Sequence, residues 1–380
     1  MVLLVPMMIL NKINTAIIFI CMVIYANSSF ALNLCSSVYN DLESFPIETE
    51  HLEKDKFFEV GLGVVYPEGA GPVDVQIKLS RADLFKDEPV KQGLAKFVNK
   101  AISPLSKLLG VNKLNVVINS ILRDLSDDPY PVKLARAFDL KIFTHKSSIE
   151  KSVPAQGPVI GIAQHPRAGV DAIAMAAILS TVRKNPDTLI VLLDSLKELP
   201  GVHENAVLID VKGTPESKQN NQRARQRIID HLKAGGSVVM FPSGRNSGKS
   251  EITNELYDDA WKPGIYDFIK QVPETTVVPM FVEGGLSELY YKIRNNLGIQ
   301  YTTPFLPAQL AGQVGQNITV KVGDSITGKE IIQISEKYVH ESADSELSVV
   351  NVFLGYLRSR VYSLKNKPTH EFQYLDLSGK

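Results

Sequence analysis

Apolar residues along this chain fall into short unbroken runs, separated by longer stretches in which they recur every three or four positions. The runs at Leu140–Thr144, Val159–Ala163, Thr188–Leu193, Ala206–Val211, Ser237–Phe241 and Thr276–Val282 have the length and β-branched content of strands covered on both faces. The intervening stretches predict helices near Asp171–Lys184, Ser217–Lys233, Gly264–Lys270 and Leu286–Asn296, and Ile318–Val322 predicts a later strand that returns to the sheet. Strands alternating with helices imply an α/β fold built on a mixed, mostly parallel sheet with helices on both faces.

Ahead of this alternation, Phe57–Tyr66 and Val73–Leu79 flank Pro67-Glu68-Gly69-Ala70-Gly71-Pro72, which predicts a small β-hairpin region. From Lys91 to Arg123 the bases Lys91, Lys96, Lys100, Lys107, Lys113 and Arg123 meet no acid. In the same segment Leu94, Phe97, Val98, Ile102, Leu105, Leu108 and Leu109 recur at helical spacing, interrupted at Pro104. Such a basic amphipathic segment either lies on an anionic bilayer or packs on its own core with the lysines solvated. Ser342–Leu364 predicts a C-terminal helix, and His370–Lys380 a tail. The expected organisation is a targeting segment at 1–31, a hairpin region at 32–90, an α/β domain at 91–330 with a helical lead-in over 91–138, and a C-terminal helix and tail at 331–380.

The first residues admit two readings. Lys12 precedes the apolar run Thr15–Tyr25, short for a spanning helix, and Ser29-Phe30-Ala31 offers the small residues of a signal-peptidase site, so a cleaved signal and an exported chain are expected. Alternatively Val2–Leu10 joins that run as an uncleaved membrane anchor interrupted by Asn11-Lys12-Ile13-Asn14. A lipoprotein site at Cys35 fails because Leu34 precedes it where a small residue is needed.

With 380 residues, 44% of them hydrophobic, the chain can bury one large core or two unequal ones. The 41 bases balance the 41 acids, which argues against a nucleic acid as partner. Cys21 and Cys35 are the two cysteines, and no Cys/His cluster has metal-ligand spacing, so neither a disulfide framework nor a metal site is expected.

Candidate chemistry lies where two buried runs end. After Val159–Ala163 come Gln164-His165-Pro166-Arg167-Ala168-Gly169-Val170-Asp171 and the alanine-rich Ala172–Leu179. An imidazole oriented by a carboxylate suits proton removal from an attacking hydroxyl or amine. The same residues also read as a turn at His165-Pro166 and a helix N-cap at Asp171. After Val238–Phe241 a second turn, Pro242-Ser243-Gly244-Arg245, carries a guanidinium suited to a phosphate or carboxylate.

His-Pro-x-x-Gly-x-Asp followed by Phe-Pro-x-Gly resembles the glycerolipid and lysophospholipid acyltransferase superfamily, which carries a His…Asp pair and a downstream Phe-Pro-Glu-Gly-Thr block. The likeness is to the bacterial hemolysin-like branch, where five residues separate the pair, as they do here. It runs from about Leu105 to Thr327, because Trp261-Lys262-Pro263-Gly264, Val277–Gly284, Leu306-Pro307-Ala308-Gln309-Leu310 and Val320-Lys321-Val322-Gly323 follow in that branch's order. The resemblance implies acyl transfer from acyl-CoA or an acyl-carrier protein, as co-substrate and without further cofactor, to a lysophospholipid, glycerol phosphate or related lipid acceptor at a membrane surface. It also implies that His165 is the general base, that Asp171 orients it, and that Phe241, Pro242, Ser243, Gly244, Arg245 and Lys212 bind substrate. No covalent acyl-enzyme is required. Departures from the family pattern are Gln164 for Asn, Ser243 for Glu, Arg245 for Thr, Asn246 for Arg, and Lys212 where an Arg is common. They leave a second expectation open, a catalytically inactive lipid-binding or transfer protein on the same scaffold.

Two other readings fail on spacing. Gly244-Arg245-Asn246-Ser247-Gly248-Lys249-Ser250 has three residues between its glycines where a nucleotide-binding phosphate loop has four. Ser243 lies in Pro-Ser-Gly rather than the Gly-x-Ser-x-Gly of a hydrolase nucleophile elbow.

Overall fold

The run Val159–Ile162 forms strand β4, and all four of its residues are buried because cores lie on both of its faces. The computed structural model describes residues 63–65, 76–78, 110–184, 187–193, 201–210, 214–299, 302, 305–342, 347–366 and 373–374. The expected signal or anchor at 1–31, Cys21, Cys35, the lead-in from Lys91 to Leu109, and Lys212 lie outside the described residues.

Gly63–Val65 (β1) pairs antiparallel with Gln76–Lys78 (β2), as the predicted hairpin requires. The helices Val111–Arg123 (α1) and Tyr130–Ala137 (α2) follow, then β3 (Lys141–Thr144), α3 (Lys146–Ser152), β4, α4 (Val170–Val182), β5 (Thr188–Leu193), α5 (Val202–Asn205) and β6 (Ala206–Ile209). Next are α6 (Pro215–Lys233), β7 (Ser237–Met240), the short pair β8 (Gly248–Lys249) and β9 (Leu256–Tyr257), α7 (Gly264–Gln271), β10 (Thr276–Val282) and α8 (Glu288–Leu297). The chain continues with α9 (Leu306–Gly312), β11 (Asn317–Val322), β12 (Ile326–Thr327), α10 (Gly328–Glu341), α11 (Val349–Tyr362) and β13 (Gln373–Tyr374).

The main sheet runs β13-β3-β11-β10-β4-β7-β5-β6, with β12 paired to the start of β10. Strands β10, β4, β7, β5 and β6 are mutually parallel, while β11 meets β10 antiparallel and carries β3 parallel to itself. The sheet is therefore mixed and mostly parallel, as expected.

Alternation along its strands feeds two cores. Val159, Val239, Val278 and Met280 face one side with α4, and Ile160, Ile162, Val238 and Val277 face the other with α6, α7, α10 and α11. Helix α4 is buried from Val170 to Ser180, because the sheet covers one side and α2 packs on it from outside. That double cover explains an apolar surface all round, in contrast to the one-sided pattern of a surface helix.

Helix starts follow local chemistry. Thr214 and Ser287 cap α6 and α8 by accepting from the main-chain N–H of Ser217 and Tyr290, and Thr327 with Glu330 closes a reciprocal capping box on α10.

The C-terminal helix expected over Ser342–Leu364 is α11, Val349–Tyr362. The division at 330 falls inside α10, and Ile331, Phe353, Leu357 and Val361 belong to the core beneath the sheet. Within the expected tail, Gln373 and Tyr374 pair antiparallel with Thr144 and Phe143, extending the sheet beyond β3.

Candidate functional site

Because β4, β7 and β10 are parallel neighbours in the sheet, their C-terminal ends open on one edge. They deliver Gln164-His165, Phe241-Pro242 and Glu283-Gly284 there, the arrangement in which open α/β sheets display ligand sites.

His165 is 18% exposed, and its Nδ1 lies 2.9 Å from Oδ2 of Asp171, which is fully buried. Asp171 is not the N-cap of α4. That position belongs to Gly169, at φ +108, after Ala168 at φ +52. Asp171 stands within the first turn and accepts four bonds. Oδ2 takes His165 Nδ1 and the Arg167 N–H at 2.8 Å, and Oδ1 takes the N–H groups of Gly169 at 2.9 Å and Ala172 at 3.0 Å. Burial pushes this carboxyl up, but the charge and hydrogen bond of His165 and the bonds from Arg167 and Ala172 outweigh it, so it stays below its ordinary value. An ionised Asp171 requires a donor, so Nδ1 carries the proton and Nε2 is left as the basic nitrogen.

Phe241 stacks on the imidazole with ring centroids 4.0 Å apart and planes 13° from parallel. Its carbonyl accepts from Gly244 N–H at 2.9 Å, closing a turn that Gly244 completes at φ +66. Within that turn Pro242 is buried and its carbonyl takes the Lys262 N–H. Ser243 is 1% exposed and donates to the Arg245 carbonyl at 2.9 Å, so its hydroxyl shapes the turn from inside. Arg245 is 53% exposed, with Nη1 3.6 Å from Asp259 Oδ2. Asp259 Oδ1 meets Arg294 Nη2 at 2.7 Å, and Arg294 Nη1 donates to the Asn246 carbonyl. The turn is thus tied to α8, and an open groove of about 870 Å³ runs beside it, lined in part by Lys249, Tyr257, Asp259, Arg294 and Asn295. A second cavity of about 380 Å³, lined by Pro154 and Thr276 among others, lies at the opposite edge, where β4 and β10 begin.

Gln164, expected near the chemistry, turns away from it. Its side-chain amide donates to Val282 O at 2.7 Å and accepts from Val282 N–H at 3.3 Å, continuing the β4–β10 ladder past Pro279, which has no N–H.

Several residues at the site carried no local signal in the sequence. Ser247 donates its main-chain N–H to the His165 carbonyl at 2.8 Å, and its Oγ accepts the His165 N–H at 3.1 Å. Asp258 receives the Ser247 hydroxyl at 2.7 Å and the Trp261 indole N–H at 3.0 Å; burial pushes its carboxyl up, against the pull of those two bonds. Arg167 spans from Asp171 to the Asn317 carbonyl at 3.0 Å, over Gly284 at φ +96, where a Cβ would lie 2.3 Å from the guanidinium. Two glycines in sequence, Gly284-Gly285, were the available hint of that close approach.

Among the described residues no group of His, Cys, Asp or Glu could hold a metal ion, and no helix is long and apolar enough to cross a membrane. A family model described as "Acyltransferase" matches residues 107–361, more than half of the chain and the whole of this site. No curated protein matches the chain.

Proposed function

The chain belongs to the acyltransferase family, and on that premise we propose that His165 is the general base for direct transfer of a fatty acyl group from a thioester donor to a lipid acceptor. The observation that carries the reading is the His165–Asp171 contact at the end of β4, which leaves Nε2 basic and 18% of the side chain open. Nε2 removes the proton of the acceptor hydroxyl or amine as its heteroatom attacks the thioester carbonyl. The carbonyl–heteroatom bond forms, the carbon–sulfur bond breaks, and the thiol leaves with the proton returned by the imidazolium. Asp171 holds the tautomer and stabilises the charged ring at that moment.

Arg245, exposed beside the Phe241–Gly244 turn, binds an anionic group of the acceptor, and lysophospholipids and glycerol phosphate are acceptors of that chemistry. The five residues between His165 and Asp171 support membership of the bacterial hemolysin-like branch. The donor is acyl-CoA or an acyl-carrier protein, with no other cofactor, and the protein works at a membrane surface where such acceptors reside. An intact His165–Asp171 contact, with the aspartate buried and bonded at both oxygens and the imidazole open at Nε2, favours chemistry over an inactive lipid carrier.

The test is to incubate the full chain with labelled acyl-CoA and a panel of lysophospholipids and glycerol phosphate. Transfer is expected, and His165→Ala should slow it by about 10²–10⁴-fold, the usual contribution of a positioned base. Transfer at the wild-type rate by His165→Ala would remove His165 from the chemistry.

A further inference from the structure

Ser247, in the loop after β7, and Asp258, directly after β9, form a chain of hydrogen bonds that ends on His165. Ser247 holds both main-chain groups of the histidine, its N–H donating to the His165 carbonyl at 2.8 Å and its Oγ accepting from the His165 N–H at 3.1 Å. A serine hydroxyl rotates freely unless its proton is claimed. Here Asp258 Oδ1 claims it at 2.7 Å, which leaves the Oγ lone pairs for His165. Asp258 Oδ2 takes the indole N–H of Trp261 at 3.0 Å, so both carboxylate oxygens accept and both partners donate.

The main chain of Asp258 is fixed in turn by α11. Its N–H donates to Tyr362 Oη at 2.8 Å, and its carbonyl accepts from Arg358 Nη2 at 2.9 Å. Ser247 is fully buried, as a polar link without solvent competition must be to hold one geometry.

We propose that Ser247 and Asp258 are positioning residues for His165: they fix its main chain so that the ring, already held by Asp171 at Nδ1 and by the Phe241 face, presents Nε2 to the acceptor at one angle. This rests on His165 being the base. A purely structural network would hold the loop to the fold and leave turnover alone. A positioning network changes turnover at unchanged substrate affinity, because a base displaced by about 1 Å costs on the order of 10²-fold in rate.

Asp258→Asn discriminates further. An amide offers one acceptor oxygen and one donor nitrogen; the Trp261 indole can only donate and takes the oxygen, so the NH₂ meets Ser247 Oγ, which reverses that bond and frees the hydroxyl proton Asp258 held, although the volume is kept.

The experiment uses the full chain and the acyl-transfer assay, with His165→Ala as reference. Ser247→Ala and Asp258→Asn are each expected to lower kcat about 10–100-fold with KM for donor and acceptor within about twofold of wild type. Ser247→Thr, which keeps the hydroxyl, should recover most of that loss. Far-ultraviolet circular dichroism checks that each variant is folded.

A second readout needs no turnover. The His165 Nδ1 proton bonded to Asp171 should give a downfield proton resonance that vanishes in His165→Ala. In Ser247→Ala it should broaden or move while the control Arg225→Ala, at an outlying ion pair with Asp267, leaves it in place. Wild-type kcat in both Ser247→Ala and Asp258→Asn, a loss carried by KM instead, or an unaltered resonance in Ser247→Ala overturns the proposal. If wild-type protein transfers no acyl group, the functional reading fails, and the resonance alone still decides whether Ser247 positions the ring.

Discussion

Asp171→Asn separates two accounts of the same aspartate. At a helix N-cap, asparagine would serve as well as aspartate and stability would hold. In the structure Asp171 faces four donors, two on each oxygen, inside a fully buried site. An amide keeps one acceptor oxygen and turns its NH₂ toward the other two donors. If the NH₂ faces Gly169 and Ala172, two backbone N–H groups lose their acceptor. If it faces His165 and Arg167, the imidazole can shift its proton to Nε2 and accept at Nδ1, and only the Arg167 N–H is stranded. The second arrangement is the cheaper, and one buried donor without a partner costs about 1–3 kcal/mol. The same tautomer shift protonates Nε2 and disables the base, so acyl transfer should fall about 10²–10⁴-fold. Urea unfolding followed by circular dichroism gives the first quantity, and initial rates give the second. A stability change under about 0.5 kcal/mol, the range of an ordinary surface substitution, would refute the four-donor reasoning. An undiminished rate would refute the tautomer step.

Three other expectations follow from the geometry. Because Asp171 is held below its ordinary value of 3.8, its carboxylate contributes stability that is complete above that pH and is lost as pH falls through the lower folded value. The gap in unfolding free energy between wild type and Asp171→Ala should therefore shrink below about pH 4, as urea midpoints taken from pH 6 downward would register. Arg245→Ala should raise KM for a phosphate-bearing acceptor with little change in kcat, since its contact is the same in ground and transition states; steady-state kinetics with unaltered KM would take Arg245 out of the site. Arg183 is buried and bonds the carbonyls of Pro154 at 2.8 Å, Gly157 at 2.6 Å and Gly235 at 2.7 Å, so Arg183→Met should cost about 2–3 kcal/mol in urea unfolding, and a neutral result would show that those carbonyls find other donors.

What the sequence revealed of this protein was whatever its physics made local. Runs such as Thr188–Leu193 and Thr276–Val282 match β5 and β10 end to end, because a strand covered on both faces over most of its length is apolar at nearly every position. His165 and Asp171 were legible as a pair because one strand-to-helix turn brings both together. Ser247 and Asp258 were not, since the Ser247 bond to His165 spans 82 positions and the Tyr362 bond to Asp258 spans 104, and neither leaves a periodic trace. Gln164 stood out as a departure from a motif, although its amide does the work of a strand residue opposite Val282. Helix α10 left a weak apolar pattern, since its buried positions are Gly328, Ile331 and Ser335, although its Thr327–Glu330 box signals a helix start.

The link from α11 to Asp258 also sets an order of assembly. A nascent chain can pair β4, β7 and β10 and bring His165 to Asp171 before residues 349–362 have been made, because none of those strands draws on α11 for a hydrogen-bonded neighbour. Tyr362 and Arg358 reach Asp258 across 104 and 100 positions, so the last brace on the histidine closes only after nearly the whole fold has been synthesised. Contacts of such span can form only once both segments exist. Until residues 349–362 are in place, Asp258 lacks its two contacts with α11, and the core face that receives Phe353 and Leu357 has no cover.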